Sequence, residues 1–201
     1  SIACGDYDRT RPLFDGGVQI DGVDPVFMPM SVEEIFFRAF RGAEFDIAEL
    51  SFSSFTVKTA QGDCPYVGVP VFLSRAFRHT CIYVRTDRIR KPQDLKGRRI
   101  GLPEYQLSAL VWARAILQDD FGVKPSDVTW VRGGIEQPGR PEKIKLELPK
   151  DIAIENAPAG RTISGMLADG EIDGFMAPRA PALPPDTPHV GWLFPDPEAA
   201  A

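Results

Sequence analysis

Histidine is nearly absent from this 201-residue chain, which has two, and cysteine is scarce at three. With so few, no H-x-H or H-E-x-x-H spacing arises, and the sequence offers no metal-ligand signature. Cys4, Cys64 and Cys81 are odd in number, lack C-x-x-C spacing and lie in apolar company, so they read as buried free thiols. That favours a reducing compartment. No apolar run approaches the roughly 20 residues that span a bilayer. No Lys/Arg-rich run occurs and the net charge is -5, which argues against a nucleic-acid partner. A Ser/His/Asp hydrolase is disfavoured because there is no G-x-S-x-G elbow. Gly133-Gly134 is too short for a phosphate-cradling loop, so no nucleotide-type cofactor is expected.

What remains is an ordinary soluble composition, 43% hydrophobic and 25% charged, in which arginine far outnumbers lysine. The planar fork of arginine suits carboxylates, although genomic composition explains the bias equally well. More telling is a repeat. The run Ile2-Ala3-Cys4-Gly5-Asp6-Tyr7 has the same order of residue types as Ile100-Gly101-Leu102-Pro103-Glu104-Tyr105. Each is later followed by a helical segment closed by glycine, an acid, an apolar residue and aspartate: Gly42-Ala43-Glu44-Phe45-Asp46 and Gly170-Glu171-Ile172-Asp173. One lobe built twice would set two acid-tyrosine loops across a cleft, at strand ends where α/β proteins bind small molecules.

Strand and helix signals alternate, which predicts an α/β fold with mainly parallel sheets. Strands are expected at 2–4, 26–28, 45–50, 66–72, 81–84, 99–102, 128–131, 152–154 and 174–177. Helices are expected after Ser31, which has Glu34 at the capping-box position, and over 108–119 and 162–168. The boundary is expected near 84–87, giving a first lobe at 1–84 and a second at 85–180. Residues 181–201, rich in proline and alanine, are expected to hold little regular structure.

Asp94-Leu95-Lys96-Gly97-Arg98-Arg99-Ile100-Gly101 and Gly170-Glu171-Ile172-Asp173-Gly174 resemble the second lobe of type II periplasmic-binding-protein folds. Gly5-Asp6-Tyr7-Asp8-Arg9-Thr10, Ala48-Glu49-Leu50-Ser51, Ser74-Arg75-Ala76-Phe77-Arg78-His79, Pro103-Glu104-Tyr105-Gln106 and Pro138-Gly139-Arg140 together resemble 4,5-dihydroxyphthalate decarboxylases and their relatives. The resemblance runs over nearly the whole chain. It implies a two-lobed binding-protein-like fold that works as a carboxy-lyase. That fold continues into a segment returning to the first lobe, so this return segment is expected to be missing here.

The resemblance implies decarboxylation of 4,5-dihydroxyphthalate to protocatechuate and carbon dioxide. The ring carbon must be protonated, a para hydroxyl must supply electron density to it, and the carboxylates must be held. Each carboxylate of that substrate is para to a hydroxyl, so no organic cofactor is demanded. His79 is the candidate proton donor because an unperturbed imidazole titrates nearest neutrality; a structural histidine at a strand edge is the alternative. Glu49, interrupting an apolar strand, or Glu104, preceding a helix, would take the phenolic proton. Glu104 would repel an anion at that helix start unless protonated or metal-bound. Arg9, Arg78 and Arg179 would clamp carboxylates, with Asp6, Tyr7, Ser51, Ser53, Arg75 and Tyr105 as further contacts to the ligand. A divalent metal on Asp6, Glu49, His79 and Glu104 is a weaker option. The rival is a solute-binding protein for an aromatic or carboxylate ligand of a transporter. The enzyme would be cytoplasmic and the binding protein periplasmic; a small aromatic carboxylate is the expected partner, with no membrane contact, and a homo-oligomer is compatible with either.

Overall fold

The computed structural model describes residues 1–183 and 187–200. Two compact units are present, Ser1–Arg75 and Ala76–Ala201. In the first, β1 (Ile2–Cys4) leads through a loop into a single-turn α1 (Arg11–Phe14), then β2 (Phe27–Pro29), α2 (Val32–Gly42), β3 (Ile47–Ala48) and α3 (Phe52–Gln61). β1 is the central strand of a three-stranded sheet ordered β2-β1-β3, parallel to both neighbours. α2 forms as its spacing predicts. The Ser31 side chain accepts from the Glu34 N–H, and Ile35 and Ala39, one turn apart, are fully buried. They pack with Ala3 and Phe45 into this unit's small core. The helix ends at Ala43, whose φ of 47° places a left-handed cap one residue beyond the expected glycine.

In the second unit, β4 (Ile82–Arg85), β5 (Arg99–Leu102), β6 (Thr129–Arg132), β7 (Ile154–Asn156), β8 (Gly174–Met176) and β9 (Val190–Trp192) form a sheet ordered β7-β6-β5-β8-β4-β9. β4 runs antiparallel to β8 and β9; the other pairings are parallel. Alternation along the strands feeds both faces. Ile100, Leu102, Trp130 and Met176 join Leu110, Ala113 and Leu117 of α4 (Ser108–Asp119) in one core. Val131 and Phe175 join Ile163, Met166 and Leu167 of α5 (Ile163–Ala168) in the other. Burying a leucine such as Leu110 or Leu117 contributes roughly 1.5–3 kcal/mol. A Cβ on Gly101 would lie 2.5 Å from Ile163 Cγ2, so the close approach of α5 to β5 requires glycine there.

Four expectations need correction. Residues 66–72 form no strand: Val67, Val69 and Val71 are exposed, because the Gly-Val-Pro alternation supplies apolar residues without a partner to pair with. The stretch 45–50 is strand only at Ile47–Ala48. Beyond residue 178 the chain is not irregular throughout, since β9 pairs with β4, and Leu193 and Phe194 join the core. β4 belongs by pairing to the second unit, so residues 76–84 fall there and not with the first lobe.

Candidate active site

In the first unit the chemistry gathers at the carboxyl ends of β1 and β3, where adjacent parallel strands release their loops side by side. Leaving β1, Gly5 donates its N–H to Glu49 Oε2 at 3.0 Å, and the Tyr7 hydroxyl donates to Glu49 Oε1 at 2.8 Å. Glu49 itself stands one residue past β3. The loop is stapled from within: the Tyr7 N–H donates to Thr10 Oγ1 at 3.0 Å, and that hydroxyl, 2% exposed as a residue, donates to the Gly5 carbonyl at 3.0 Å. Burial first, then the hydrogen bond and charge of Glu49, push the Tyr7 hydroxyl up to about 12, with Ser74 and Arg9 acting weakly the other way. Burial, then the Glu49 charge, also raises the Cys4 thiol. Ser51 occupies the N-cap position of α3, with its hydroxyl 3.3 Å from that of Ser53.

Arg9 lies with its Cζ 4.4 Å from the Tyr7 ring centroid, and directs its guanidinium at the Leu73 carbonyl and at Asp8. It ties the segment before Arg75 to the first loop, so its expected place on a carboxylate is taken by backbone. Asp6 turns outward and pairs with Arg11 at 3.0 Å.

The matching loop of the second unit leaves β5 and has a different character. Glu104 is fully buried, and its oxygens are saturated. Oε1 meets Lys143 Nζ at 2.5 Å and Arg140 Nη2 at 2.7 Å; Oε2 accepts from the Lys143 N–H at 3.1 Å and Gln106 Nε2 at 2.9 Å. Burial raises its pKa, but Lys143 and then Arg140 outweigh burial, and the net position is below the ordinary carboxylate value. Cations from residues 140–143 neutralise the anion, and this makes it a poor proton acceptor. Tyr105 is 9% exposed and lies under the Arg114 guanidinium, 3.8 Å from Cζ to ring centroid. Arg114 Nη2 donates to the Tyr105 carbonyl at 2.7 Å, and burial pulls this arginine down to about 10.

His79 sits in a 3-10 turn over Arg78–Cys81, is 6% exposed, and stacks edge-on against Phe194 at 5.1 Å. Neither ring nitrogen has a hydrogen-bond partner among the described residues. The ring is packed in a largely apolar surrounding, with Phe194 against it and the buried Cys81 in the same turn. Arg78 is half-buried, near the Cys81 thiol; Arg75 and Arg179 are exposed. Among the described residues, no group of three or more His, Cys, Asp or Glu could hold a metal ion. A groove of about 430 Å3 runs beside β7, lined by Arg132, Glu142 and Leu146 among others, and it contains none of the residues singled out from sequence.

Sequence reasoning missed Thr10, Arg114, Arg140 and Lys143 as site-builders. Arg114 had a signal, since it occupies the stripe between Leu110 and Leu117 that should be apolar. Arg140 and Lys143 lie in a stretch without periodicity, which hid their direction.

A family model described as NMT1/THI5 like matches residues 47–138, and the fold is accordingly periplasmic-binding-protein-like, mixed α/β with parallel sheets. A protein of Pseudomonas putida named 4,5-dihydroxyphthalate decarboxylase is 62% identical over all of this chain and 79% of its own length. The chain belongs to the 4,5-dihydroxyphthalate decarboxylase family. A Comamonas testosteroni protein of the same name is 63% identical, again over all of this chain, which spans 62% of that relative's length. In this family member no helix among the described residues is long and apolar enough to cross a membrane.

Proposed function

We propose that the chain is the body of an aromatic acid decarboxylase, converting 4,5-dihydroxyphthalate to protocatechuate and carbon dioxide without an organic cofactor, in the cytoplasm. The observation that carries this reading is identity above 60% along the entire chain to two proteins bearing that enzyme's name. The site chemistry supports it. Glu49 offers a carboxylate already receiving a phenolic proton donor, Tyr7, and a substrate phenol is the same kind of donor. Once the substrate hydroxyl ionises, its electron density reaches the para carbon, which accepts a proton and releases carbon dioxide. Arg78 and Arg179 are the arginines proposed to meet carboxylates, and Ser51 and Ser53 at the start of α3 are proposed hydroxyl donors. His79 serves as ring-carbon acid only if its turn opens. Full activity in His79→Ala would remove it from the reaction.

Purified full chain incubated with 4,5-dihydroxyphthalate should release carbon dioxide and form protocatechuate. Tight binding without either product would replace this reading with that of a binding protein for an aromatic carboxylate.

A further inference from the structure

The two Glu49 oxygens are each already engaged, one by the Tyr7 hydroxyl and one by the Gly5 N–H. A ligand proton bound for Glu49 therefore has a ready-made line to follow: onto the Tyr7 oxygen, as the Tyr7 proton moves on to Glu49. We infer that Tyr7 is the group that takes the phenolic proton of a dihydroxylated aromatic ligand and passes its own to Glu49, the two acting as one proton acceptor. This deepens the decarboxylase reading and rests on it.

Several features of the loop fit this arrangement. A Cβ at residue 5 would stand 2.8 Å from Tyr7 Cζ and 3.0 Å from its hydroxyl, so glycine is needed for the ring to fold back over the strand exit. Thr10 fixes the backbone on both sides of the ring, and the Arg9 cation covers its face. A tyrosine oxygen that donates one bond keeps lone pairs to accept another, so a ligand hydroxyl can dock on it without displacing Glu49. The ring is only half-buried, which leaves it approachable.

The proton balance closes. The ligand O–H bond breaks and its electron pair stays on the ligand oxygen. The proton joins Tyr7 Oη, and the former Tyr7 proton joins Glu49 Oε1. Electron density from the phenolate allows the para carbon to bind a proton drawn from water. The bond to the carboxylate then breaks, its electron pair restores the aromatic ring, and carbon dioxide leaves. The product phenolate takes its proton back from Tyr7 as Glu49 returns one to Tyr7. One proton is consumed overall, at carbon.

The test is Tyr7→Phe, which keeps the ring, compared with wild type and with Glu49→Gln. Two readouts are needed: turnover of 4,5-dihydroxyphthalate, and ultraviolet titration of the bound ring with an excess of protein, which separates phenol from phenolate. Tyr7→Phe should lower kcat by about 100-fold or more with KM changed by less than about threefold. It should also raise the pH at which the bound ring ionises. The double variant should be no worse than either single one, since the pair acts as a unit. Wild-type kcat and unchanged ring ionisation in Tyr7→Phe overturn the inference and leave the decarboxylase reading standing. Wild type that binds the compound without releasing carbon dioxide removes the decarboxylase reading, and the ionisation readout still decides the role of Tyr7. Neither binding nor turnover overturns both.

Discussion

The loops at residues 5–10 and 103–107 begin from one pattern and end in opposite roles. Each leaves a parallel strand and offers an acid followed by tyrosine. In the first, the acid Asp6 faces solvent, and the tyrosine hydroxyl is bound to a carboxylate from the neighbouring strand end. In the second, the acid Glu104 is fully buried under Arg140 and Lys143, and the tyrosine is a plate beneath Arg114. The lesson is that this pattern delivers a loop to a strand's carboxyl end, whereas the segment that packs over it decides which side chain is reactive. The first loop sets a phenol hydroxyl against a half-buried carboxylate through one hydrogen bond. The second has its charges neutralised in place, as a structural hub would.

The sharpest way to break this comparison is Glu104→Ala. Lys143 is nearly as buried as the carboxylate it meets, so losing the anion strands a buried cation and should destabilise the second unit by about 3–5 kcal/mol in urea unfolding. The same pairing predicts an acid dependence. Because the folded-state pKa of Glu104 is depressed, its stabilisation is complete above the ordinary carboxylate value and is lost as pH falls through the lower folded value. Glu104→Ala should flatten that acid limb; an unchanged limb would show that the hub is not what holds the loop.

Next in size is Gly5→Ala. Its methyl group must displace the Tyr7 ring, at a cost of about 1–3 kcal/mol to the first unit. The second loop has Pro103 at the matching place and needs no such clearance. Alkaline absorbance titration sharpens the contrast without a change in fold. Tyr7 should ionise at about 12, and Tyr7→Phe should delete that late step. Since its folded value is raised, the stabilisation it contributes is present below the unfolded value near 10 and disappears as pH climbs through about 12. The smallest effect is expected for Arg114→Met. It gives up the bond to the Tyr105 carbonyl but also removes a buried cation, with a net change within about 1 kcal/mol in thermal unfolding.

Much of the fold was legible in the chain. The helix over Ser108–Asp119 occurs at the bounds its apolar stripe predicts, and Ser31 caps α2 through Glu34. Periodicity carries these, because one buried face suffices to specify a helix. It misled at 66–72, where alternating valines look like a strand but no neighbour pairs with them. It was silent at β9, where proline-rich flanks conceal three residues that pair with β4. At the site, proximity of Glu49 to the first loop followed from strands in parallel order. The partners of Glu104 did not, because residues 138–143 have no repeat from which direction can be read.

The sequence by itself determined the alternation of strands and helices, the repeated acid-tyrosine loops and the family, since these reside in local pattern and residue identity. Only the tertiary structure decided that Glu49 takes the Tyr7 proton bond, that Glu104 is neutralised by Arg140 and Lys143, and that Arg9 holds backbone. The physical reason is that a side chain's chemistry depends on desolvation and on charges a few ångströms away. Those charges come from residues 36 to 42 positions distant in the chain.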